Sequence, residues 1–115
     1  MQTIRATEQP IQVSFLNQDT NLPIILETMV EAIIHVLVGN KNICSFYHGA
    51  GEGFSEYLEL NVASTSISGV IPRESFQDSP NGEVLLDVLV KMPGYHIEQR
   101  ITTGTYFESI STSSL

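Results

Sequence analysis

The segment GEVLLDVLVKMPGYHIEQRI (82–101) constrains the fold of this chain more than any other. Val84, Leu86, Val88, Val90 and Met92 fall on one side of an extended chain, and Glu83, Asp87 and Lys91 fall on the other. That is the two-residue period of a strand with one buried face; a helical period would scatter the three charges around the axis. Pro93-Gly94 then supplies a turn, because proline presets the first turn position and glycine accepts the positive φ of a tight reversal. The returning arm, YHIEQRI (95–101), sets Tyr95, Ile97 and Ile101 against His96, Glu98 and Arg100. This polar row is what the wet side of a half-buried antiparallel strand requires, and it is read as structural. Leu85 and Leu89 share the charged face, so that face is expected to be partly covered by another element or subunit. Gly104 permits a bulge or bend, after which TYFESI (105–110) continues as extended chain.

The same alternation recurs upstream. IQVSF (11–15) reads as a first strand, YLELNV (57–62) and SISGVI (66–71) as later ones, and ICSFYH (43–48) as the return arm of a hairpin through GNKN. The turn formers QDSPNG (77–82) separate the last hairpin from what precedes it. Residues 21–42 support two readings. Leu22, Ile25, Leu26, Met29, Val30, Ile33, Ile34 and Leu37 fit the spacing of an amphipathic helix over 22–38. The β-branched run Ile33, Ile34, Val36 and Val38 favours a short turn or helix near 25–30 followed by a strand over 31–38. The strand reading gives an all-β fold, a single antiparallel immunoglobulin-like β-sandwich. The helix reading gives an α+β protein with helix 22–38 packed on an antiparallel sheet. In either case one domain is expected over 11–108, with an N-terminal arm at 1–10 and a polar C-terminal tail at 109–115.

Charge and cysteine content then exclude classes of function. Five Lys and Arg face thirteen Asp and Glu, a net charge of −8, so phosphate backbones and acidic lipid surfaces are disfavoured as direct partners. Only 16 % of residues are charged, low for the surface of an independent monomer, which predicts that part of the surface is covered by other subunits. The single Cys44 forms no internal disulfide and seeds no thiolate zinc site, which fits a reducing cytosol. MQTIRATEQP (1–10) lacks the basic start and apolar stretch of an export signal, and AIIHVLV (32–38) stops short of the roughly 20 residues that span a bilayer.

No motif declares a chemistry. GAGEGF (49–54) is glycine-rich, but a phosphate loop needs a helix N-terminus after it, and a strand-like SEYLELNV follows instead. His48 and Glu52 flank these glycines without a third converging ligand, and His35 and His96 are not joined to them by spacing. Asp78, Asn81 and Glu83 lack the alternating oxygen ligands of a calcium loop, and a hairpin turn accounts for them. Cys44 sits in an apolar stretch and reads as a small hydrophobe, and no nucleophile elbow occurs. Accordingly no catalytic residue, no metal ligand and no cofactor is assigned. Phe46, Tyr47, Phe54 and Tyr57 around the glycine loop, with Tyr106 and Phe107 in the last strand, are the candidate interface residues; core packing is the default for most of the four around the loop, and those that are exposed would point to an interface.

The order of these segments carries a resemblance. IQVSF, then IIHVLVGNKNICSFYH, then SGVIPRESF, then PNGEVLLDVLVKMPGYHIEQRITTGTYF resembles the β-sandwich modules of tailed-phage virion proteins, closest in layout to the N-terminal domain of baseplate upper proteins. The similarity covers residues 11–108 and is one of pattern. Ile71, Pro72, Glu74 and Phe76 match an I-P-x-E-x-F segment before a turn, and Gly82 and Asp87 match a G-x-x-x-x-D-V strand opening. GAGEGF and the turn or helix near 25–30 depart from the plainest version. The resemblance implies a non-enzymatic structural component of a phage particle, in the tail, neck, baseplate or capsid surface. Such a protein is made in the host cytoplasm and is located in the virion. Its partners are copies of itself and other virion proteins, in a homo-oligomer, with no direct contact to nucleic acid or membrane. The rivals are a small α+β ligand-binding protein or enzyme, and an acidic inhibitor that mimics nucleic acid.

Overall fold

The computed structural model describes residues 2–4 and 8–107. The chain is all-β. Its strands are β1 (Gln2–Ile4), β2 (Gln9–Ser14), β3 (Glu31–Val38), β4 (Lys41–His48), β5 (Leu58–Glu59), β6 (Asn61–Val62), β7 (Ser66–Ile71), β8 (Gly82–Met92) and β9 (Tyr95–Phe107). A six-stranded sheet has the order β1-β9-β8-β3-β4-β5, and a three-stranded sheet has the order β2-β7-β6. Pairing is antiparallel except at two short edge pairs, β1 on β9 and β4 on β5.

Residues 31–38 are a strand, which overturns the rival helix over 22–38. Glu31–Val38 alternates half-buried and buried along its whole length, and Ala32, Ile34, Val36 and Val38 are sealed in the core. The β-branched side chains gain more from packing between two neighbouring strands, β4 and β8, than from a helix that would crowd them. What remains near 25–30 is one turn, in which the Met29 N–H donates to the Leu26 carbonyl at 3.0 Å.

The two sheets share one core. Ile34, Val36, Phe46, Val88 and Val90 from the larger sheet meet Ile11, Val13, Ile67 and Ile71 from the smaller. Each such side chain contributes about 1.5–3 kcal/mol on leaving water. Leu26 and Leu60 close the core further, and Phe76, on the 3-10 turn Arg73–Phe76 that follows Pro72, stacks on Phe107 with ring centroids 4.7 Å apart. The stretch 57–62, expected as one strand, is two. Leu58–Glu59 pairs with β4, Asn61–Val62 pairs with β7, and buried Leu60 marks the crossing between sheets.

The final strand is longer than its two expected pieces. β9 runs unbroken from Tyr95 to Phe107 against β8, with a register shift between Glu83 and Leu85. Gly104, at φ +72°, takes up the irregularity, and Thr103 Oγ1 donates to the Val84 carbonyl at 2.8 Å beside it. Leu85 pairs with Thr102 and Glu83 with Tyr106, so β9 gains two residues there, and parity is preserved. Thr105 and Phe107 therefore return to the buried face. Residues 108–115, including the end of the expected 105–110 strand and the polar tail, lie outside the described residues, whereas Gln2–Ile4 of the expected N-terminal arm pairs with β9.

Only one face of the six-stranded sheet is covered by the smaller sheet. The radius of gyration, 15.3 Å, exceeds the roughly 13 Å of a compact chain of this length, and the molecule is a flattened plate of 52 × 33 × 21 Å.

Candidate interaction surface

The uncovered face of the six-stranded sheet carries the polar side chains that the strands point away from the core. Cross-strand register sets Ser45 opposite His35, His35 opposite Asp87, and Asp87 opposite Arg100, a row across four strands. Arg100 grips Asp87 with two parallel bonds, Nε to Oδ1 at 2.7 Å and Nη2 to Oδ2 at 2.9 Å. Those bonds hold the Asp87 carboxyl below its ordinary range, against a smaller opposing effect of burial. Next in the row, His35 Nδ1 lies 2.7 Å from Ser45 Oγ and 3.2 Å from Asn42 Nδ2. The imidazole, the hydroxyl and the amide thus form one small polar cluster on the uncovered face, with Asn42 Nδ2 also 3.2 Å from Ser45 Oγ.

Ser45, His35 and Asp87 are the residue types of a nucleophile, a base and an orienting acid, and separate strands bring them together, so no local motif revealed them. Their chemistry as arranged is limited. Both Asp87 oxygens are taken by Arg100, and the carboxylate does not orient the imidazole as an acid partner would. Ile33 and Leu89 flank the row and make its floor an open groove with His35, Asp87 and Arg100. His96 and Glu98 continue the wet face along β9, 3.9 Å apart.

A second cluster lies where Glu31, Tyr47 and Lys91 meet. Tyr47 donates its hydroxyl proton to Glu31 Oε2 at 2.6 Å, Lys91 Nζ is 3.0 Å from Glu31 Oε1, and the Gly51 N–H donates to the Tyr47 oxygen at 2.7 Å. The hydrogen bonds from Tyr47 and Lys91 hold the Glu31 carboxyl below its ordinary range. The bond to Glu31 raises the Tyr47 hydroxyl, because its proton is shared with a carboxylate. Phe54 stacks on Tyr47 at 3.8 Å between centroids, and Tyr57 stands edge-on to both rings. The glycine loop is thus folded over β4 by its own aromatic residues.

The six candidate interface residues therefore divide. Phe46 and Phe107 are each 1 % exposed and belong to the core, because their strand positions point inward; this corrects their place in the interface. Tyr47, Phe54 and Tyr57 come together in the half-buried stack, and Tyr106 lies apart, across from Glu83. Cys44 is half-buried and its thiol is pushed up to about 11 by burial. Among the described residues no three His, Cys, Asp or Glu side chains gather as metal ligands, and no helix is long and apolar enough to cross a membrane.

The largest exposed apolar side chains are elsewhere. Leu22 is 62 % exposed and Ile25 60 %, and with Leu16, Met92 and Tyr95 they line a shallow groove at the end of the molecule that holds the Pro93-Gly94 turn. Val30 adjoins Tyr95 beside it. The run LPIIL (22–26) is apolar throughout, but only the fold, which bridges Pro23 to Leu16 and sends Leu26 into the core, reveals that Leu22 and Ile25 are the ones left facing solvent.

No protein-family model matches the chain, and no curated protein matches it in sequence.

Proposed function

We propose that this protein is a structural module that works by protein–protein contact within a symmetric assembly, of the kind that builds the tail, neck, baseplate or capsid surface of a phage particle. The observation that carries this reading is the apolar end formed by Leu16, Leu22, Ile25, Val30 and Tyr95, all more than half exposed. A contiguous apolar patch of that kind on a small chain is the usual mark of a surface made to be covered by another protein. The stacked Tyr47, Phe54 and Tyr57 offer a second, more rigid aromatic contact, and the pattern resemblance to baseplate upper modules points to a virion as the setting. Light scattering at two concentrations, followed by electron microscopy of any assembly, tests the reading. Association that weakens in the double variant Leu22→Asp, Ile25→Asp, with its circular dichroism unchanged, supports it. Monomers at every concentration, with no virion partner captured, sink it.

The Ser45–His35 contact favours a second reading, a small hydrolytic enzyme. A fluorophosphonate probe separates the two: labelling lost in Ser45→Ala supports the enzyme, and an unlabelled chain leaves the contact function alone.

A further inference from the structure

Strand β9 is 13 residues long and pairs with β8 along its length, but on its other side β1 occupies only Thr105 to Phe107. Among the described residues, 95–104 present an open sheet edge. Which backbone groups are free there follows from the turn. A two-residue loop, Pro93-Gly94, is closed by a hydrogen-bonded pair, here Met92 and Tyr95. Bonded and non-bonded pairs then alternate without interruption to Leu85 and Thr102, so 95, 97, 99 and 101 bond to β8. His96, Glu98, Arg100 and Thr102 turn their N–H and C=O groups outward.

We infer that this edge pairs with the same edge of a second copy, antiparallel, about a twofold axis at Gln99. The inference rests on the contact function proposed above and names one of its interfaces. A twofold antiparallel pair opposes residue i to residue j with a constant sum, and only the choice of centre is open. Centring on Glu98 opposes two carboxylates, and centring on Arg100 opposes two guanidiniums. Centring on Gln99 sets Glu98 of each copy against Arg100 of the other on the wet face, and Ile97 against Ile101 on the other face.

Both sign patterns are then complementary at once, and about eight backbone hydrogen bonds form across the seam. Glu98 has a side chain 71 % exposed, and Arg100 spends Nε and Nη2 on Asp87, so Nη1 is the atom a carboxylate from the second copy meets. A foreign strand of uniform charge would repel one member of the pair, whereas a second copy satisfies both. Beyond 104 the edge is already filled by β1, which sets the length of the seam.

The register is tested by cross-linking and by charge exchange. Gln99→Cys places two thiols opposite each other at a non-bonded pair, within disulfide reach, and is expected to form a covalent dimer under mild oxidation. Tyr95→Cys, opposed to Thr103, is not. Glu98→Arg opposes like charges and is expected to weaken dimerisation about tenfold in sedimentation equilibrium. Arg100→Glu does the same, and a mixture of the two variants restores a heterodimer, since each arginine then meets a glutamate. Equal cross-linking of Gln99→Cys and Tyr95→Cys, or a Glu98→Arg chain that dimerises like the parent, overturns the inference. Association that depends on Leu22 and Ile25 but not on Glu98 retains the contact function and removes only this seam.

Discussion

The ring of Phe46 in the six-stranded sheet rests on the bare backbone of Gly69 in the three-stranded sheet: a β-carbon at Gly69 would lie 2.7 Å from Cε1 of that ring. Two layers approach closely here because one of them has no side chain. Gly69→Ala is expected to destabilise by about 1–3 kcal/mol through overpacking, read as a lower denaturant midpoint at unchanged slope. A neutral effect would mean that the layers are not apposed at this point.

The complementary change, Phe46→Ala, removes the ring and leaves a cavity between the layers. A cost of about 3–5 kcal/mol is expected in the same measurement. A loss near zero would place Phe46 on the surface and return it to the candidate interface.

Acid should weaken the fold. Glu31 and Asp87 have carboxyls held below their ordinary values of 4.5 and 3.8, by Tyr47 and Lys91 in one case and Arg100 in the other. A depressed folded-state value stabilises above the unfolded one and is lost as pH falls through the folded one. Melting temperature should therefore drop with pH below about 4.5, modestly because these groups are partly in water, and salt should shrink the effect. Glu31→Gln should flatten the slope; an unchanged slope would show that the Tyr47 and Lys91 contacts do not persist.

Alkali gives the opposite sign at the same cluster. Hydrogen bonding to Glu31 raises the Tyr47 hydroxyl above its ordinary 10, so its stabilisation is complete below 10 and is lost as pH rises through the folded-state value. Tyrosinate absorbance should show a late-ionising step that vanishes in Tyr47→Phe.

Cys44 should be slow to react. With its thiol near 11, almost no thiolate exists at neutral pH, and alkylation should proceed far more slowly in the native chain than after denaturation. Rapid native labelling would contradict the burial that raises it.

Much of the fold was legible because alternation is a local property. The β8–β9 hairpin could be read from the parity of Val84 to Met92 and from Pro93-Gly94, and β3 lies over the residues expected, 31–38. The helix rival arose because apolar residues on both faces of β3, Ile33 and Leu37 outside and Ile34 inside, satisfy helical spacing too. The split at Leu60 was not legible, since a strand that changes sheets keeps its alternation while its partner changes. Nor was the Ser45–His35–Asp87–Arg100 row, which exists only through register between strands far apart in sequence. The interface was partly misplaced for the same reason: aromatic character marks Phe46 and Tyr47 alike, and only the pleat sends one inward and the other out.

The crossing at Leu60 has a mechanical meaning. Leu58–Glu59 is bonded into one layer and Asn61–Val62 into the other, with a single residue between them. Layers joined by so short a strap cannot slide past each other before one of those pairs tears, so a pull that shears the plate loads this strap first.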